Sequence, residues 1–212
     1  RRAPEDRARL GFVLHQRLPP RAMTRNALVR HLASRLTTLT PMCGSTTVFA
    51  IDGRAGSGKT STARLLREEL QCPLVSMEGL YPGWDGLEQG VALLASDVLA
   101  PLARGEAAQV PNYDWERGEF GQPRLLEPPP LLIVEGVGCG AKSSTEYLSY
   151  LVWLDCGEGV RQTRALSRPE DGTSFAEHWD DWAEQERLLL AGDRIFERAS
   201  LMVTTTVNDE GA

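Results

Sequence analysis

No uninterrupted apolar run in these 212 residues is long enough to span a bilayer, so no membrane anchor is expected. The four cysteines, Cys43, Cys72, Cys139 and Cys156, are scattered and include no CxxC pair. That argues against a disulfide framework or a zinc site and for reduced thiols in a cytoplasmic protein. The three histidines, His15, His31 and His178, show no metal-like spacing and read as ordinary surface or tail residues. Internal repeats and low-complexity tracts are also missing. What remains, 42% hydrophobic and 25% charged residues over this length, suits one globular domain of ordinary size with a real core.

The net charge of −6 hides an asymmetry. Residues 1–44 carry nine Arg against Glu5 and Asp6, while the rest holds fourteen basic and twenty-seven acidic side chains. An acidic body argues against general nucleic-acid binding. The basic head reads either as a targeting segment or, preferably, as a loose tail followed by one amphipathic helix, because Leu28, Leu32, Leu36 and Leu39 recur at three- and four-residue spacing. The expected organisation is therefore a basic tail plus helix over residues 1–44 and a main domain over 45–212.

Residues 48–51 are a short apolar run cut off by Gly53, as in a buried strand, and residues 61–70 have helical periodicity. Residues 73–77, 131–136, 150–155 and 201–203 read as further strands. Residues 91–102, 161–167 and 175–191 read as helices, with Trp179, Trp182 and Phe196 as core. Continuous apolar strands between helices imply a parallel sheet covered on both faces. Pro128, Pro129 and Pro130 sit just before a strand, where they end the preceding element without breaking ladder bonds.

Residues 53–60, "GRAGSGKT", satisfy GxxxxGK[ST]. Glycines let such a backbone curl until several N–H groups point inward, and the loop opens a helix whose N-terminus carries about half a positive charge. A phosphate chain fits that nest, with Gly53, Ala55, Gly56, Ser57, Gly58, Lys59, Thr60 and Ser61 around it. Lys59 reaches the outer phosphates and the Thr60 hydroxyl ligates Mg²⁺. A nucleoside triphosphate is the expected ligand. The guanine-reading NKxD pattern of GTPases is missing, and the acidic end of "LLIVEG" at Glu135 leaves a weakened ATPase reading open.

"IDGRAGSGKT", "VPNYDW" (residues 110–115), "LIVEG" (132–136) and "WLDCGEGVRQTRALSR" (153–168) occur in that order. Together they resemble the uridine kinase-like branch of the P-loop kinases, which includes uridine/cytidine kinases, phosphoribulokinase and pantothenate kinase relatives. The resemblance spans residues 48 to about 203. It implies an α/β P-loop NTPase fold of three layers, a central parallel sheet flanked by helices, with a small lid near residues 161–178. It also implies ATP and Mg²⁺ as cofactors and a small-molecule acceptor.

By the same resemblance, "MEGLY" (77–81) stands where the family carries an acidic motif whose first carboxylate takes the acceptor's proton. Glu78 occupies that place, one methylene longer than Asp, and Gly79 replaces the second polar residue. Misplacement on the order of 1 Å costs roughly 100-fold in rate, so either the acceptor differs or activity is weakened. Tyr81, Trp84 and Asp85 in "YPGWDGLE", with Tyr113 and Asp114, are the expected acceptor-side residues. Asp52 and Glu135 fall at the carboxyl edge of the sheet, where each is expected either to hold Mg²⁺, Asp52 through water, or to orient the acceptor.

Arg161, Arg164 and Arg168 are three and four apart, hence on one helical face. Arg164 and Arg168 are expected to stabilise the charge that spreads over a transferring phosphoryl group; the alternative, a solvated basic face, weighs more for Arg161 than for the other two. Glu170 and Asp171 stand where the family's lid carries further basic residues. The sequence thus points to an ATP-dependent kinase with a nucleoside or similar hydroxylated acceptor. The alternatives are a catalytically weakened nucleotide-binding regulator and an ATP-hydrolysing switch.

Overall fold

In a computed structural model, which describes residues 16–17, 25–36, 38–167 and 172–205, ten strands and six α-helices are resolved among those residues. Six strands form one parallel sheet: β1 (Gln16–Arg17), β2 (Thr47–Asp52), β3 (Leu74–Ser76), β8 (Leu131–Glu135), β9 (Tyr150–Asp155) and β10 (Leu201–Thr204), in the order β1-β10-β9-β2-β8-β3. The helices α1 (Arg25–Leu36), α2 (Lys59–Leu70), α3 (Leu87–Leu93), α4 (Ala100–Ala103), α5 (Glu158–Leu166) and α6 (Gly172–Asp193) flank it. This is the expected three-layer α/β architecture.

Side-chain alternation explains why the central strands are apolar throughout. In β2, Phe49 and Ile51 enter a core with Leu28 and Leu32 of α1 and Ala63 and Leu66 of α2; Val48 and Ala50 enter the opposite core with Leu94, Leu99 and Trp182. β9 does the same, with Val152 and Leu154 on the first face and Leu151 and Trp153 on the second. Full burial of residues such as Phe49 and Ile51 contributes roughly 1.5–3 kcal/mol each. The helix expected within residues 1–44 is α1, and it packs on α2 through Leu28, Val29, Leu32 and Leu36, all buried.

Two regions depart from the sequence expectation. The helix expected over 91–102 begins four residues earlier and is interrupted by a wide π turn at Leu94–Leu99, where the Ala100 N–H bonds to Ala95 O. Pro101 explains the widening, since its ring would crowd the carbonyl four residues back in a regular helix. Between α4 and β8 the chain forms two small antiparallel ribbons, β4 (Ala108–Val110) with β7 (Arg124–Leu126) and β5 (Tyr113–Asp114) with β6 (Glu119–Phe120). Strands of two or three residues are too short to leave a periodic signal.

Parallel pairing brings all strand ends to one edge. Ile51 and Ser76 both pair in register with Glu135, so Asp52, Ser76 and Glu135 form a row at the carboxyl end of β2, β3 and β8. Thr204 pairs with Asp155 farther along the same edge.

Candidate functional site

The turn between β2 and α2 is set by its glycines. Gly58, at φ +96°, is the N-cap of α2, and having no side chain it offers no capping oxygen. The first-turn N–H donors of α2 are therefore left to an external acceptor. Gly56 sits at φ +77° against the start of α5, where a Cβ would lie 2.1 Å from Arg161 O. Only glycine allows both that conformation and that approach.

Lys59 is buried and its Nζ donates back across the loop to Arg54 O at 3.0 Å. One of its three ammonium donors is thereby used, which leaves two. The donor chemistry of the uncapped helix start and of Lys59 fits a phosphate chain. Ser61 is exposed on the first turn of α2. Ser57 Oγ is buried and has no hydrogen-bond partner among the described residues, while Ser57 O accepts from Thr205 Oγ1 at 3.1 Å.

The two edge carboxylates have different surroundings. Asp52 is wholly buried and accepts three backbone N–H bonds, from Gly53 (2.6 Å) and Gly138 (3.1 Å) to Oδ1 and from Gly140 (2.8 Å) to Oδ2. Burial still pushes its carboxyl up to about 6, against the lowering effect of those bonds and of Lys59. The expected acceptor-side role for Asp52 is corrected on this point: its oxygens tie the loop at 136–140 to the phosphate loop. Glu135, also buried, accepts from Ser76 Oγ at 2.6 Å and from Thr60 Oγ1 at 3.2 Å, and burial raises its carboxyl as well. Thr60 and Glu135 together make the hard-oxygen set that suits Mg²⁺.

On the β3 side, Glu78 lies exposed in a single turn at Met77–Gly79, directly after the strand. Its charge helps to raise the Glu135 carboxyl, which places it within electrostatic reach of the Thr60–Glu135 pair. Trp115 Nε1 donates to Glu78 O at 3.0 Å and so joins the turn to the β5–β6 ribbon.

Around that joint the rings collect. Trp84 lies 4.8 Å from Trp115, 5.3 Å from Phe175 and 4.7 Å from His178, on which it stacks, while Tyr113 meets Trp115 edge-on at 5.3 Å. Trp84 and Tyr113 are brought together here as half-buried neighbours. Asp85 is exposed in the turn that precedes α3. Two expected acceptor residues are corrected. Tyr81 is buried, donates its hydroxyl to Val137 O at 2.7 Å and packs edge-on to Trp182, so it is a core residue. Asp114 takes the Glu116 and Arg117 N–H groups on Oδ1, both at 3.1 Å, and closes its own ribbon turn. His178, read as an ordinary surface or tail residue, is part of the aromatic cluster.

The arginines do not share one solvated face. Arg161 is buried, its Nη1 donates to Ala55 O at 3.1 Å, and its guanidinium lies over the Trp179 ring. Burial lowers its pKa. Arg164 reaches Thr205 Oγ1 (3.4 Å) and Cys156 Sγ (3.7 Å) between the ends of β9 and β10. α5 ends at Leu166, and Arg168, like Glu170 and Asp171, lies outside the described residues.

Glu186 on α6 was not foreseen. Only 1% exposed, it bonds Ala55 N–H and Arg54. A signal for it exists: Phe175, Trp179, Trp182 and Glu186 recur at four- and three-residue steps, which puts a carboxylate on the apolar face of a helix.

No protein-family model matches the chain. A bifunctional pantoate ligase/cytidylate kinase of Synechococcus sp. (strain JA-3-3Ab) is 33% identical over 89 residues, which cover 37% of this chain and 16% of that protein. The chain therefore spans only a small part of the length of this relative.

Among solved structures, one described as a possible uridine kinase from Bacillus stearothermophilus aligns with a TM-score of 0.61 at 19% identity, covering 82% of this chain and 96% of that one. A candidate fructose transport system kinase from Silicibacter sp. TM1040 aligns with a TM-score of 0.56 at 20% identity, covering 85% and 99%. The fold is that of these two structures.

Proposed function

We propose that the chain is an ATP- and Mg²⁺-dependent phosphotransferase acting on a hydroxyl of a small molecule, with a nucleoside as the first acceptor to test. The observation that carries this reading is the hydrogen-bonded series Thr60–Glu135–Ser76 beside the phosphate loop, with Glu78 exposed two residues after Ser76 and its charge felt at Glu135. The name of the Synechococcus relative includes a cytidylate kinase, which supports ATP-dependent phosphoryl transfer in general but not a hydroxyl acceptor, since a cytidylate takes the group on its phosphate.

ATP supplies the transferable phosphoryl group and Mg²⁺ neutralises the charge that builds on it. Lys59 and the first-turn N–H groups of α2 hold phosphate oxygens, and Thr60 with Glu135 holds the metal. Glu78 accepts the proton of the acceptor hydroxyl. The rings of Trp84, Trp115, Tyr113 and His178, joined to Glu78 through Trp115 Nε1, give the acceptor side flat apolar surfaces that suit a base.

The test is ADP release from ATP and Mg²⁺ by the purified chain, alone and with a panel of nucleosides, pantothenate and sugar phosphates. Release that depends on one acceptor, and that Glu78→Gln abolishes while ATP binding survives, is the expected result. Release without any acceptor favours a hydrolytic switch, and tight ATP binding with no release overturns the transferase reading. An unchanged rate in Glu78→Gln removes Glu78 from the mechanism.

A further inference from the structure

Residue 55, in the middle of the phosphate loop, is held by side chains from two helices far away in sequence. Its N–H donates to Glu186 Oε1 at 2.6 Å, and its carbonyl accepts from Arg161 Nη1 at 3.1 Å. The two side chains are themselves paired, with Arg161 Nη1 4.0 Å from Glu186 Oε2. That same oxygen takes Arg54 Nε at 3.0 Å, and Oε1 takes Trp182 Nε1 at 3.1 Å. Both carboxylate oxygens are thus occupied by donors in a buried setting, where charge-assisted bonds hold direction well. The Cα of Gly56 rests against the Arg161 backbone on the other side.

We propose that Glu186, acting with Arg161, is a positioning residue for nucleotide: it fixes the first half of the phosphate loop so that the N–H groups from residue 56 onward stay preorganised for phosphate. Glu186 acts through the bonds it accepts from Ala55 N–H and Arg54. Within residues 53–58 the backbone closes on itself only from Ser57 N to Arg54 O, and side chains hold the segment further, those of Asp52, Lys59 and Thr205 at other points and those of Glu186 and Arg161 at residue 55. A loop with three residues at positive φ gains most from an external brace, because each such residue has the widest choice of conformation to lose. The inference rests on the reading of residues 53–60 as a nucleotide site, but one arm of its test does not.

The experiment compares the full chain with Glu186→Gln and Arg54→Ala in two measurements. Amide hydrogen exchange of the nucleotide-free protein reads the loop directly: residues 54–58 are expected to exchange at least tenfold faster in Glu186→Gln, with the β2, β8 and β9 amides unchanged. ATP binding by calorimetry is expected to weaken at least tenfold in Glu186→Gln and by less in Arg54→Ala, which keeps the Ala55 bond. Loop exchange equal to that of the parent chain overturns the proposal. So does faster exchange throughout the sheet, because Glu186 would then act on global stability. Should Glu186→Gln fail to fold, Glu186→Asp decides: it keeps the charge beside Arg54 and Arg161 but draws the carboxylate one methylene back from the Ala55 N–H, and unchanged loop exchange in it overturns the proposal. If the parent chain binds no ATP, the nucleotide reading fails and the exchange measurement still decides whether Glu186 orders the loop.

Discussion

Glu135 accepts a 2.6 Å hydrogen bond from Ser76, the last residue of the neighbouring strand, and this bond turns its other carboxylate oxygen toward Thr60 at 3.2 Å. The pair fixes the orientation of the one edge carboxylate that contacts the phosphate-loop helix. Because Ser76 and Glu135 are in register, the geometry follows from strand pairing itself.

Replacing that carboxylate should show in the metal dependence. Glu135→Gln keeps the shape and one acceptor oxygen, so the chain should fold. Its lost charge should raise the Mg²⁺ concentration for half-maximal turnover about tenfold or more. A Mg²⁺ titration of ADP release checks this, and an unchanged midpoint removes Glu135 from the metal site.

Lys59→Ala should lower turnover by several orders of magnitude, since positioning and charge stabilisation supply nearly all of the catalysis in phosphoryl transfer. In the nucleotide-free chain Lys59 makes one bond, to Arg54 O, so the melting temperature should move by only a few degrees. Turnover near that of the parent chain would refute its assignment.

Asp52 predicts a stability that depends on pH. Its carboxyl is raised from 3.8 to about 6, so between those values the folded chain binds a proton that the unfolded chain has released. Stability contributed by this group is greatest below about pH 4 and declines as pH rises through about 6. The shift corresponds to about 3 kcal/mol at most. Asp52→Asn removes the titration, and the slope of melting temperature against pH between 4 and 6 should flatten. At pH 7 the variant should still be destabilised by about 1–3 kcal/mol, because an amide NH₂ would oppose one of the backbone N–H donors. Thermal melts from pH 4 to 7 measure both effects.

The sequence by itself determined the sheet and the loop. Largely apolar segments of five or six residues at β2, β8 and β9, each followed by Gly within two residues, read as strands covered on both faces, and the spacing of Gly53, Gly56, Gly58, Lys59 and Thr60 has one good physical use. Short-range chemistry sufficed there: periodicity, turn-forming glycine and a helix start are all written within a few residues.

Tertiary structure alone decided which polar groups work and which merely hold. Tyr81, Asp114 and Asp52 look like site residues in the chain, yet each hydrogen-bonds a backbone group and two of the three are fully enclosed. Arg161 looks like a surface charge and is buried, because Glu186, 25 positions away, meets it in the fold. Burial and partnership are set by helices packing across the sheet, at separations where the linear pattern records only that a residue is polar. The Glu186 carboxylate on an apolar helical face is the exception that the pattern did expose: a charge that must be buried needs a partner, and only the fold could supply its name.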